Sequence, residues 1–192
     1  MKKSILSLFV GFIGILSYAQ SVETYAGIAN DDPTNNYEST SNKELDDTYF
    51  AYPAGICFDP SGRMYTAEKN KVRIIVADKL YIRAGSLQAT SFSEGYKNAT
   101  GTSATFRDPG GLACNSNGEI FVADIENHCI RKIASYQNLG NGQVVSTFAG
   151  SNPTPGLPGY GTSGSADGTG TAARFNKPTD IAIDAAGNLY VT

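Results

Sequence analysis

Three stretches of the 192-residue chain repeat one another, and a chain made of copies of one unit folds into a row or ring of like modules. The copies begin at Pro53, Pro109 and Pro178 and align without gaps. Counting from each proline, position +2 is Gly55, Gly111 or Asp180, and position +6 is Asp59, Asn115 or Asp184. Position +9 is Gly62, Gly118 or Gly187, and position +12 is the aromatic Tyr65, Phe121 or Tyr190. Phe50, Phe106 or Phe175 stands three residues ahead of each proline. A second shared unit precedes these: Tyr25-Ala26-Gly27, Arg83-Ala84-Gly85 and Phe148-Ala149-Gly150.

Within each copy the pattern is that of strands. In the first, a short apolar run over 55–58 meets the turn Asp59-Pro60-Ser61-Gly62, followed by strands predicted at 63–67, 72–76 and 80–84. The second reads the same way at 111–114, 119–123, 129–134 and 143–149, with Asn141-Gly142 near its last turn. No segment sustains a 3.6-residue apolar period. Each turn starts with Asp or Asn, whose side chain can bond the turn's own amides, and ends in Gly, which tolerates φ > 0. Four short antiparallel strands per repeated unit define a β-propeller blade, so the expected fold is all-β, a partial β-propeller of four-stranded antiparallel blades. The aromatic at +12 is expected to fill the space between neighbouring blades.

The residues that carry a family likeness lie in the second copy. Asp108-Pro109-Gly110-Gly111-Leu112-Ala113, then 118–124 (GEIFVAD), then 127–133 (NHCIRKI) resemble an NHL repeat, as does 145–150 (VSTFAG) ahead of Phe175-Asn176-Lys177-Pro178. The third copy matches through Asp180–Asp184 and Gly187–Val191. The first departs most, with Glu68 where the pattern has Asp and a shorter step from Glu68 to Val72. The resemblance implies a propeller of six blades when complete, and fixes no activity.

The N-terminus reads as a targeting segment. Lys2 and Lys3 precede an apolar run, Ile5 to Leu16, and Ser17-Tyr18-Ala19 offers small residues for a cut before Gln20. This predicts a signal peptide at 1–19 and a mature chain at 20–192 that is secreted, at the cell surface or periplasmic, and bacterial in style. Blades are expected at 53–84 and 109–149, with a partial blade at 178–192. A lone strand at 22–26 matches a blade's fourth strand and is expected to close the ring. A propeller needs about four to eight blades, so the sequence is read as an N-terminal fragment. Export gives cysteines a chance to pair, but three is an odd number. Cys57, Cys114 and Cys129 sit in apolar runs and are read as small buried hydrophobes. One disulfide with a thiol to spare stays open, with no pair assigned.

Charge and motifs narrow the functional classes. Eighteen acidic against fifteen basic side chains give −3, and −5 once Lys2 and Lys3 are removed, which together with export disfavours nucleic acid as a partner. Gly159-Tyr160-Gly161-Thr162-Ser163-Gly164 has dinucleotide-fingerprint spacing but follows Pro153–Pro158 rather than a strand, and so reads as a loop. Asn98-Ala99-Thr100 has the glycosylation pattern, which carries little weight in a bacterial-style chain. Asp31, Asp32, Asp46, Asp47 and Asp167 are loop carboxylates that could contact Ca²⁺, but none lies in a Ca²⁺-loop frame, so no cofactor is assigned. One His and no C-x-x-C leave no metal site in the sequence, and His128 reads as a structural turn residue. No catalytic residue is assigned.

The long connections, 27–53, 85–109 and 150–178, are expected to emerge on one face around the channel. They carry Tyr37, Tyr49, Tyr52, Tyr96 and Tyr160 among small polar residues, a composition suited to protein or glycan contacts. Tyr49, Tyr52, Tyr96 and Tyr160 are the candidate ligand-binding residues. The function expected is a secreted or cell-surface scaffold that binds a protein or a carbohydrate. The alternative weighed is an enzyme of the gluconolactonase-like hydrolase or metal-dependent lyase type, which the resemblance allows.

Overall fold

The computed structural model describes residues 25, 43–44, 50, 52–86, 94–136, 143–151 and 161–192. Among them there is no α-helix. The first blade is a meander of β2 (Pro53–Phe58), β3 (Met64–Glu68), β4 (Lys71–Val76) and β5 (Lys79–Gly85), all antiparallel, with β1 (Lys43–Glu44) added at the outer edge beside β5. The second comprises β6 (Pro109–Cys114), β7 (Ile120–Asp124), β8 (Cys129–Ile133) and β9 (Val145–Gly150) in the same order. β10 (Ile181–Ile183) and β11 (Leu189–Val191) begin the third. These are antiparallel blades of a partial β-propeller. The signal peptide expected at 1–19 lies outside the described residues, and so does the strand expected at 22–26, Tyr25 apart.

Alternation along the strands produces two buried layers, because successive side chains point to opposite sheet faces. In β7, Ile120 and Val122 face the first blade, while Phe121 and Ala123 face the third, and all four are buried. The first layer joins Tyr65, Ala67, Val72 and Ile74 to Leu112, Ile120, Val122 and Ile133, with Ala104 and Phe106 added from the connecting segment. The second joins Ala113, Phe121, Ala123 and Ile130 to Ile181. The +12 aromatic fills the interblade space at Tyr65 and Phe121, as the repeat predicts, whereas Tyr190 is exposed.

The repeated turns have one design in three copies. Asp59 Oδ1 accepts from the amides of Ser61 and Arg63 at 2.9 and 3.0 Å. Asn115 does the same for Asn117 and Glu119, and Asp184 for Ala186 and Asn188. Gly62, Gly118 and Gly187 take φ of 76°, 75° and 89°, which only glycine adopts cheaply. Where +12 is Tyr, its hydroxyl donates to the second oxygen of the turn Asp, at 3.0 Å for Tyr65 and 3.1 Å for Tyr190. Where +12 is Phe121, the turn residue is Asn115, which donates to Glu119 at 2.8 Å instead.

Each complete blade also holds a buried ion pair between its second and third strands. Arg131 donates to Asp124 Oδ2 at 2.7 Å, and Arg73 lies 3.0 Å from Glu68. The guanidiniums cover Phe106 and Phe50 respectively. Glu68 therefore takes the place of Asp124. The shorter step to Val72 is also explained. Lys69 and Asn70 close β3 to β4 directly, while a 3₁₀ turn, Ile125–Asn127, with His128 spans the wider gap between β7 and β8. A bulge precedes both arginines, where Val72/Arg73 and Ile130/Arg131 change register.

The described parts of two connections lie along the outer edges of the blades. The one leading into the second blade runs back along that blade's outer edge, with Thr100 bridged to Val144 and the Gly101 amide donating to Gln143. β1 covers the outer edge of the first blade in the same way. Both of these connections thus pair with an edge that would otherwise be open. Gly101–Ser103 and Gly170–Ala172 form matching 3₁₀ turns, with Gly101 and Gly170 at φ 54° and 56°.

Candidate functional site

Tyr52, Asp108 and Lys177 each precede the proline that opens a blade, and all three are non-glycine residues held at φ of 52–54°. Such a backbone costs roughly 1 kcal/mol or more per residue and persists only where the surroundings impose it. For Asp108 and Lys177 the imposing contacts come from the turn between strands two and three of the preceding blade. The Asp108 amide donates to the Lys69 carbonyl at 3.2 Å, and the Lys177 amide donates to His128 Nδ1 at 3.0 Å. In return, the Ile125 amide donates to the Asp108 carbonyl and the Glu126 amide to that of Arg107.

The result is a continuous rim where the innermost strands begin. Lys69 Nζ lies 6.0 Å from the centre of the Tyr52 ring, and Lys177 Nζ bonds Glu126 Oε1 at 2.7 Å. That hydrogen bond, with the charges of Lys177, Arg107 and His128 behind it, holds the Glu126 carboxyl below its usual range against a small cost of burial. His128 is itself left-handed at φ 54° and caps the 3₁₀ turn, its amide donating to the Ile125 carbonyl. Tyr52, Asp108 and Lys177 are exposed. An aromatic ring, two cations and two carboxylates thus lie on one solvent-facing rim, in positions set by the repeat and with side chains that differ from blade to blade.

The four tyrosines expected to bind ligand fare differently. Tyr52 is on the rim and is 74% exposed. Tyr96 is half-buried, its ring 4.5 Å from the Arg131 guanidinium and its hydroxyl bonded to Thr147 Oγ1, so its polar tip is engaged within the blade. Tyr49 and Tyr160 lie outside the described residues, as do Tyr37, Asp31, Asp32, Asp46 and Asp47. Asp167 is exposed, and among the described residues no three His, Cys, Asp or Glu side chains are grouped to hold a metal. Gly161–Gly164 is loop and opens no helix, which agrees with the loop reading of that glycine pattern. Asn98, in the glycosylation pattern, accepts from Arg131 at 2.8 Å.

Cys57 and Cys114 correct the expectation of three buried cysteines. Both are only half-buried, at the border of the first core layer, while Cys129 in β8 is fully buried. Lys69, Asp108, Glu126 and Lys177 were not singled out from sequence. The available signal was the position before each repeated proline, where Tyr, Asp and Lys vary while the residues around them recur.

The comparisons with known proteins agree with this architecture. The NHL repeat family matches residues 106–133, the span from Phe106 to the end of β8. The human "NHL repeat-containing protein 2" is 32% identical over 82 residues, covering 42% of this chain and 11% of that protein. Among solved structures, an auxiliary nutrient binding protein from Bacteroides ovatus superimposes with a TM-score of 0.56 at 22% identity, over 77% of this chain and 36% of the other. A protein of the same description from Bacteroides thetaiotaomicron gives 0.53 at 26%, over 71% and 33%. The chain therefore spans about a tenth of that curated relative and about a third of those solved chains. No helix among the described residues is long and apolar enough to cross a membrane. With the repeated proline-to-aromatic frame in two full blades and the start of a third, and the family match on the second, the chain carries an NHL repeat within a partial β-propeller.

Proposed function

We propose that this chain is a secreted or cell-surface binding scaffold whose rim of Tyr52, Lys69, Asp108, Glu126, His128 and Lys177 takes up a carbohydrate or protein ligand. The observation that carries this reading is the recurrence of a strained, exposed, chemically varied residue before each blade. A fold that needed those positions only for packing would use glycine there and avoid the cost. An exposed tyrosine ring beside ammonium and carboxylate groups offers a stacking face and hydrogen bonds at once, the combination a sugar ring uses. The description of two structural neighbours as nutrient binding proteins, one of them 26% identical, points the same way. Export follows from the N-terminal pattern Lys2 to Ala19. The hydrolase or lyase alternative draws no support from the described residues.

Glycan-array screening followed by calorimetric titration tests this. Tyr52→Ala and Asp108→Ala are expected to weaken binding at least tenfold, about 1.4 kcal/mol, with an unchanged melting temperature. Ser116→Ala, in a turn at the opposite end of the second blade, is expected to bind as the parent does. Equal binding by all three variants would place the ligand elsewhere. Failure on every glycan, with capture of a protein from the organism's own surface that the rim variants lose, would make that protein the ligand.

A further inference from the structure

The two half-buried thiols lie on facing sides of one interface, packed against the same core layer. β2 and β6 are the innermost strands of adjacent blades and run side by side, so that a Cβ added at Gly55 would meet the Cα of Gly111 at 3.0 Å. Cys57 and Cys114 lie two and three residues beyond those glycines. Cys57 is on the first blade's face towards the second, the face of Tyr65. Cys114 is on the second blade's face towards the first, with Leu112 and Ile120. Both pack against the same core layer. At the next interface the corresponding positions are Ala113 and Ile183, packed together in the second layer. The thiols therefore replace hydrocarbon at a place where this architecture brings two side chains into contact.

We propose that Cys57 and Cys114 form a disulfide joining the first blade to the second, made by exchange with a small-molecule disulfide in an oxidising compartment. In the first step one cysteine thiolate attacks a sulfur of the oxidant RSSR, giving a mixed disulfide and releasing RS⁻. The second thiolate displaces the remaining RS⁻. The two thiol protons end on the two RS⁻ groups, so the protein gives up two electrons and two protons and the oxidant leaves as two RSH. Cys129 takes no part, being buried in β8 where a Cβ on Gly150 would touch its Cα at 2.8 Å.

Burial, the neighbouring Cys114 and Asp59 push the Cys57 thiol up to about 12, and burial with Asp59 pushes Cys114 up to about 11. In the folded protein exchange is consequently slow at neutral pH and quickens about tenfold per pH unit from 7 to 9. The bond forms fastest during folding, before the layer closes.

The test is to refold the full chain with oxidised and reduced glutathione, block free thiols with an alkylating agent under denaturing conditions, and map peptides without reduction. The expected result is one linked peptide pair containing Cys57 and Cys114, with Cys129 alone alkylated. Three alkylated thiols, glutathione adducts only, or any link through Cys129 would overturn the proposal. Oxidation is also expected to raise the melting temperature by about 5 °C, a rise that Cys114→Ser abolishes. The parent and Cys114→Ser responding alike to oxidation would overturn it too.

Discussion

Asp59 shows how much a single residue organises in this repeat. Its carboxylate accepts two turn amides, the Arg63 side chain at 2.6 Å and the Tyr65 hydroxyl at 3.0 Å. Burial works against its charge, but the bonds from Arg63 and Tyr65 prevail and hold it below the ordinary carboxyl value. A carboxylate depressed in the folded state contributes stability that is present above its unfolded value, near 3.8, and lost as pH falls through the folded one. Removing one donor tests the size of the effect. Tyr65→Phe is expected to cost about 1.5 kcal/mol in urea unfolding at pH 7, and less in acid, as pH falls through the folded value and the carboxylate takes up its proton. Phe121 is the natural control, since its turn residue is Asn115 and needs no such donor. A larger cost belongs to Arg131, which is fully buried. It bonds Asp124, Asn98 and the carbonyls of Lys97 and Thr105, and lies over two rings. Arg131→Ala leaves Asp124 buried with its charge unpaired, and a loss of about 3–5 kcal/mol is expected by denaturant titration. Arg131→Lys, which keeps the charge but not the planar fork, is expected to restore only part of that.

At the level of the element, the closest approach between blades decides which strands can neighbour one another. Gly55 in β2 abuts Gly110 and Gly111 in β6, and Gly111 abuts Asp180 and Ile181. The partners are largely backbone, which cannot swing aside as a side chain does. Gly55→Ala is expected to separate the innermost strands and destabilise by about 2 kcal/mol or more, lowering hydrogen-exchange protection in β2 and β6 before β8. Gly118→Ala provides the contrast. Its φ is 75° and only the Ser135 Cβ, at 3.6 Å, comes within reach, so its cost is conformational, about 1 kcal/mol, and confined to the hairpin.

For the whole molecule, the notable surface is the first blade's outward face. Ile56 and Phe58 are 57% and 59% exposed and, with Met64, Phe50 and Tyr25, border an apolar concavity of about 660 Å³. Their repeat equivalents in the second blade, Leu112, Cys114 and Ile120, are packed against the first blade. Where no further sheet covers it, a face built for a neighbouring sheet promotes association. Phe58→Asp is expected to lower light scattering and the bound fraction of a hydrophobic dye at micromolar protein, with the second blade's melting unchanged. Equal scattering by parent and variant would show that this face does not drive association.

Much of the fold was legible in the sequence because the repeat puts the same physical demand on each copy. The turn Asp or Asn with its glycine, the +12 aromatic and the alternating apolar runs specify hairpins and sheet faces by local rules, and four strands per unit define a blade. Glu68 standing in for Asp124 altered only the turn beside it. The candidate site was less legible. Of the tyrosines chosen for their chemistry, Tyr52 reaches the rim and Tyr96 turns inward to Arg131, a difference that depends on how the connection folds back over its blade. Lys69 and Lys177 are far apart in the chain and become parts of one rim only because a turn in one blade holds the residue before the next blade's proline. Repeats determine local geometry through short-range sterics and hydrogen bonds. Which side chains then meet across blades is decided by packing between units, and only the tertiary structure carries that.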